Sequence, residues 1–214
     1  MKKKINHFPN KIPVFPLSNF IIFPRTTVPL NIFEPKYIDM VDDAMKTDRI
    51  IGMIQPKKYN QNNKILYNIG CAGKITSFNE TDDGRYLIVL VGISRFRIVN
   101  EIDNKKLYRE CSVNFNEFKS DLEEEKEELK FSDLKLIFKD IKSLLNKKGY
   151  IINWKDIEKQ KLDQTIITLS MASPFTLEEK QVLLETLNIN ERKKKLEEIL
   201  STYVVDNFSN KTIQ

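Results

Sequence analysis

The sequence predicts an α+β protein, with a strand-rich N-terminal part holding one helix and then a bundle of about four helices. Three observations carry this. Residues 11–118 are short apolar or alternating segments broken by proline, glycine and Asp-Gly. Residues 131–208 repeat apolar residues every three or four positions. Between them lies KSDLEEEKEELK (119–130), with six acidic and three basic residues. It separates a part with 18 basic and 12 acidic residues (1–118) from one with 14 and 12 (131–214). The expected organisation is a basic tail (1–10), a strand domain (11–118), an acidic connector (119–130), a helical bundle (131–208) and a short tail (209–214).

The strands follow in order. KIPVFPL (11–17), NFIIFP (19–24) and TVPLNIF (27–33) read as short extended segments, and their prolines place them at sheet edges or bulges. In VPLNIFEPKYIDMVDDAM (28–45) the rhythm changes from strand to helix at Glu34-Pro35. Pro35 suits a first helical turn, where its missing N–H has no partner to lose, and Glu34 lies at the positive end of the helix dipole. This helix should bury Ile38, Val41, Ala44 and Met45 and expose Lys36, Asp39, Asp42 and Asp43. RIIGMIQP (49–56) reads as a buried strand, and LYNIGCAGKITSFNE (66–80) as a long one bent at Gly70 and Gly73. Asp83-Gly84 is a hairpin turn. Beyond it the pattern predicts a strand, a turn near Gly92 and a second strand to residue 102. LYRECSVNFNEF (107–118) alternates once more. Many short strands with one helix suggest a barrel or a curled sheet.

The helices are read from their stripes. Leu134, Ile137, Phe138, Ile141 and Leu145 share one face, with Gly149 as a stop. Leu162, Ile166 and Leu169 form a second stripe. Thr176 and Glu179 make a capping box before Val182, Leu183, Leu184 and Leu187, which should all point inward. A last helix, capped by Asn190, carries Leu196, Ile199, Leu200 and Tyr203.

Catalytic machinery is missing. GCAGKIT (70–76) has its glycines at the wrong spacing for a phosphate loop, and Ile75 stands where a magnesium-binding hydroxyl is needed. GISRF (92–96) lacks the second glycine of a hydrolase elbow. Cys71, Cys111 and His7 are too few to hold zinc. No cofactor and no metal are expected, and both cysteines read as reduced thiols, with Cys71 in the interior. In a strand, Arg95 and Arg97 would share one face and Phe96 the other, in the core. No apolar run is long enough for a membrane span, and none follows the basic start, so a cytoplasmic protein is expected. The net charge of +5 comes from 28 lysines and only 7 arginines, a weak pattern for phosphate recognition.

Three blocks of text carry a resemblance. They are FPLSNFIIFPRTTVPLNIFEPKYIDMVDDAM (15–45), LYNIGCAGKITSFNETDDGRYLIVLVGISRFRI (66–98) and SPFTLEEKQVLLETLNINERKKKLEEIL (173–200). In their order and spacing they resemble the Lon N-terminal domain, the substrate-binding domain of the ATP-dependent Lon proteases. The shared features include the DGR turn, the G-x-x-RFR strand, the KQ-x-LLE helix and the R-x-x-x-L segment, and they cover residues 11 to 206. The resemblance implies a PUA-like β-barrel followed by a helical bundle. It does not bring ATPase or peptidase activity, since the Walker motif is absent and no room remains for the ATPase and Ser-Lys protease modules; the expectation is a stand-alone domain.

It further implies recognition of unfolded or client polypeptides, as an adaptor or holdase for a protease or chaperone, through an apolar groove between barrel and bundle. Phe33, Glu34, Lys36 and Tyr37 are the expected substrate-binding residues, with Phe33 as core or groove floor. RNA is the alternative partner, because PUA-like barrels are also used on RNA and the first 118 residues are basic. A membrane is not an expected partner.

Overall fold

The computed structural model describes residues 8–18, 20–57, 65–123, 131–151 and 153–209. The chain divides into two compact units, Met1–Glu123 and Glu124–Gln214. Residues 1–7 of the basic tail, with His7, lie outside the described residues, as do residues 124–130 of the acidic stretch and 210–214 of the C-terminal tail.

The first unit is one six-stranded sheet with a helix. Its strands are β1 (Lys11–Pro16), β2 (Thr27–Ile32), β3 (Ile50–Ile54), β4 (Ile69–Glu80), β5 (Tyr86–Ile102) and β6 (Arg109–Asn114), in the order β2-β5-β4-β3-β1-β6. Helix α1 (Pro35–Met45) joins β2 to β3. Strand β5 is 17 residues long and is shared. Its first part lies between β2 and β4, and its last part pairs with β6. The expected barrel is present only as this ring of pairings, which is not a clear barrel.

Four expectations change. No ladder forms over 20–24, although Ile21, Ile22 and Phe23 are buried. Instead the Phe23 carbonyl accepts from both the Thr26 amide (3.3 Å) and the Thr26 hydroxyl (2.6 Å), closing a turn in which Arg25 has φ +62°. Second, β1 is internal despite Pro13 and Pro16. It pairs with β6 over Lys11–Val14 and with β3 over Val14–Pro16, so each proline faces a ladder on one side only. Third, α1 buries Met40, Val41 and Ala44, while Ile38 and Met45 are half-buried. Lys36, Asp42 and Asp43 are half-buried too, and only Asp39 of the four polar residues is fully exposed.

Fourth, the chain does not turn at Gly92. The pairing steps from Ala72–Ser94 to Gly73–Gly92, which leaves Ile93 as an extra residue in a bulge. Gly92 is needed there for space. A Cβ would sit 2.1 Å from the Phe23 carbonyl oxygen. The two backbones meet through Arg25 N–H donating to Gly92 O (2.8 Å) and Gly92 N–H donating to Thr26 O (2.9 Å). Gly92→Ala is expected to push these strands apart and lower stability by about 1–3 kcal/mol, as overpacked sites do. An unchanged urea midpoint would show that the approach is looser than this.

The core gathers Ile12, Val14, Ile50, Ile54, Leu66, Ala72, Phe96, Cys111 and Val113. Both cysteines are free and buried.

Among the described residues the second unit holds five helices: α2 (Phe131–Lys147), α3 (Trp154–Glu158), α4 (Leu162–Ala172), α5 (Leu177–Glu185) and α6 (Ile189–Ser209). The short α3 is the unforeseen one. The α2 stripe from Leu134 to Leu145 is buried as the period requires, and Gly149 stops the chain's helical course at φ +74°. The Thr176–Glu179 capping box forms at 2.7 and 3.1 Å. Leu183 and Leu184 are buried, but Val182 and Leu187 are exposed. The cap of α6 is Asn188 rather than Asn190: its Oδ1 accepts from Glu191 N–H at 2.9 Å. Among the described residues no helix is long and apolar enough to cross a membrane.

Candidate functional site: the start of helix α1

Strand β2 ends at Ile32, which is buried, and Phe33 follows with 65% of its surface exposed. Phe33 is therefore not a core residue. Glu34 keeps an extended backbone (φ −74°, ψ 129°) and Pro35 opens the helix. The Glu34 carbonyl accepts from the amides of Tyr37 (2.8 Å) and Ile38 (3.0 Å), so the first turn is held by backbone alone. The Glu34 carboxylate is left free for Lys36, whose Nζ lies 2.9 Å away. That ammonium also lies 4.6 Å from the centre of the Tyr37 ring. Tyr37 packs on Phe15 with ring centres 4.3 Å apart, which fixes it to β1. The hydrogen bond to Glu34 raises the Lys36 pKa, and burial raises that of Tyr37. The four expected site residues thus come together. Phe33 is the exposed apolar member, Tyr37 the anchored one, and Glu34 and Lys36 pair with each other.

The far end of α1 is fixed by a polar network that sequence spacing could not reveal, since Asp43 lies 65 residues from its Tyr108 partner. The Asp43 carboxylate accepts from the Tyr108 hydroxyl (2.7 Å) and from Lys106 Nζ (3.0 Å). Lys106 also reaches Glu110 (3.3 Å), and Glu110 accepts from Asn104 (2.7 Å) and pairs with Lys11 (3.1 Å). The Tyr108 hydroxyl bond, then Lys106, pulls the Asp43 carboxyl down from 3.8 to about 2. Burial, helped by Asp43, pushes the Tyr108 phenol up to about 12. Because the folded pKa of Asp43 lies below its unfolded value, its stabilisation is complete above about pH 4. It is lost as the pH falls from there towards 2. Asp43→Asn is expected to be less stable than the parent at pH 7, with the gap in urea midpoint closing between pH 4 and 2. A gap that stays constant over that range would remove Asp43 from the acid response.

The RFR segment of β5 is structural. Phe96 is fully buried. On the other face, Arg95 binds Asp121 and Arg97 binds Glu117, both in the 3-10 segment Asn116–Leu122. A shallow pocket of about 320 Å³ lies between Leu66–Asn68, Ile98 and the Glu101–Arg109 ion pair, with Cys111 in its lining. Burial pushes the Cys111 thiol up to about 11, so it is protonated and unreactive at neutral pH. Among the described residues no group of three His, Cys, Asp or Glu side chains could hold a metal ion. What the geometry shows is an exposed aromatic, Phe33, at a strand-to-helix junction held by backbone hydrogen bonds.

A family model described as the ATP-dependent protease La (LON) substrate-binding domain matches residues 11–202. The chain belongs to this family. Among its relatives, Lon protease 2 of Myxococcus xanthus is 26% identical over 197 residues, covering 90% of this chain and 24% of that protein. Lon protease 1 of Bdellovibrio bacteriovorus is 28% identical over 189 residues, covering 86% and 24%. The chain thus spans about a quarter of the length of these Lon proteases. The crystal structure of a Lon N-terminal domain protein from Xanthomonas campestris matches with a TM-score of 0.65 at 20% identity, over 87% of this chain and 96% of that one. The N-terminal domain of the Mycobacterium avium complex Lon protease matches with a TM-score of 0.61 at 18% identity, over 89% and 98%. These two likenesses establish the fold of the Lon N-terminal domain for this chain.

Proposed function

We propose that this Lon substrate-binding domain recognises unfolded client polypeptides without catalysing a reaction. Its place would be in cytoplasmic protein quality control, as an adaptor for a protease or chaperone. The strand ring serves in this reading as a PUA-like scaffold. The observation that carries the proposal is Phe33, a large aromatic 65% exposed on a junction whose two sides are fixed by packing and backbone hydrogen bonds. A rigid exposed aromatic loses little entropy on covering an apolar segment of another chain. Glu34, Lys36 and Tyr37 supply the polar rim.

The test is fluorescence anisotropy with a labelled, permanently unfolded polypeptide such as reduced carboxymethylated lactalbumin. Binding is expected to saturate and to persist at high salt, because apolar burial is not screened. Phe33→Ala should weaken it about ten-fold, the scale of a typical hot-spot residue, and leave the melting temperature unchanged. Binding of a structured RNA that falls steeply with salt, with no polypeptide signal, would overturn this reading in favour of an RNA-binding module.

A further inference from the structure

We infer that the client polypeptide is held as an added strand along the free edge of β2, in backbone hydrogen bonds to Thr27, Pro29 and Asn31. The inference rests on the polypeptide recognition proposed above and specifies its mode. Strand β2 ends the sheet order and has β5 as its strand partner. Gly92 N–H donates to Thr26 O, which makes Thr26–Gly92 a hydrogen-bonded pair. Antiparallel ladders alternate, and the register runs Val28–Leu90, Leu30–Ile88, Ile32–Tyr86. These three residues therefore turn their polar groups towards β5. Thr27, Pro29 and Asn31 turn theirs outward. That edge presents two amides, of Thr27 and Asn31, and three carbonyls. Among the described residues, no further backbone hydrogen bond is recorded for them.

Two details fit an incoming strand. Leu30 faces the core side, yet it is only half-buried between the buried Val28 and Ile32. A residue opposite it on an added strand would complete its cover. Phe33 lies just beyond the end of the same edge, exposed, where it can close over the strand's end. The proline selects against a second copy of this chain. In any antiparallel self-pairing of β2, Pro29 is missing a donor on both sides, so two hydrogen bonds are lost. A partner free of proline loses one. The occupant is therefore an extended, proline-free segment of another polypeptide, with an apolar residue opposite Leu30.

The variant Asn31→Pro removes one outward amide without touching the β5 ladder, and Asn31→Ala keeps the amide while removing the side chain. With reduced carboxymethylated lactalbumin as the probe, Asn31→Pro should bind about ten-fold more weakly and Asn31→Ala as the parent does. Hydrogen exchange on the parent protein needs no variant. Saturating probe should slow the Thr27 and Asn31 amides at least several-fold, while Leu30 and Ile32 are already protected. If Asn31→Pro binds normally, or those two amides exchange unchanged while the probe is bound, strand addition is overturned and client recognition stands. If the parent binds no unfolded polypeptide, the functional reading fails as well.

Discussion

Arg95→Met is expected to lower the unfolding free energy of the strand unit by about 3–5 kcal/mol, the scale of a broken buried ion pair. The Arg95 side chain is 2% exposed and that of Asp121 7%. The guanidinium donates to Asp121 through Nε at 2.9 Å and through its terminal nitrogen at 2.8 Å, and the Arg95 amide adds a third bond at 2.8 Å. It also lies 4.5 Å from the centre of the buried Phe118 ring. Methionine fills the space but leaves the carboxylate buried with only one amide donor. The double change Arg95→Met, Asp121→Leu should recover most of the loss, because the second change removes the stranded charge. The neighbouring pair shows what burial contributes. Arg97 and Glu117 also form a two-pronged bond, at 2.7 and 2.8 Å, yet their side chains are 43% and 37% exposed. Arg97→Met should cost less than about 1 kcal/mol. Urea unfolding followed by circular dichroism measures all three. Equal losses for Arg95→Met and Arg97→Met would mean that water reaches Asp121.

The second large effect is expected at Phe96. Truncation to alanine should cost about 3–5 kcal/mol, because the ring is fully buried and its site has no means of closing. Two glycines make room for it. A Cβ on Gly52 would lie 2.9 Å from the Phe96 ring, and one on Gly70 would lie 2.7 Å from it and 2.5 Å from the Met53 carbonyl. Removing the ring leaves backbone walls from β3 and β4, and paired strands do not collapse into a void. Phe96→Leu keeps most of the volume and should cost markedly less. Thermal unfolding separates the two variants. Similar melting points for both would show that the strands do relax around the gap.

The two large effects differ in how much of their cause the sequence displays. That Phe96 is internal follows from alternation along RFR, which the sequence shows directly. That Arg95 is buried does not follow, since its partner is 26 residues away in an acidic stretch that reads as a solvated connector. The candidate site divides similarly. Glu34-Pro35 marks the helix start by local chemistry alone, whereas the exposure of Phe33 depends on what its neighbours leave uncovered. The network on Asp43 was invisible for the same reason as the Arg95 pair.

What the sequence determined by itself are features whose energy is settled within a few residues. The helix start at Pro35, the turn at Gly84 (φ +76°), the stop at Gly149 and the capping box at Thr176 all belong here. Backbone dihedrals and first-turn hydrogen bonds, all local in the chain, account for them. Only the tertiary structure decided the rest. Gly92 reads locally as a turn signal, but the Phe23 carbonyl that crosses it keeps β5 as one strand and places the glycine in a bulge. Prolines read as edge markers, but β1 is internal because its two ladders lie on different halves of the strand. In each case the deciding group is brought in from far along the chain, so no window of sequence contains the energy that makes the choice.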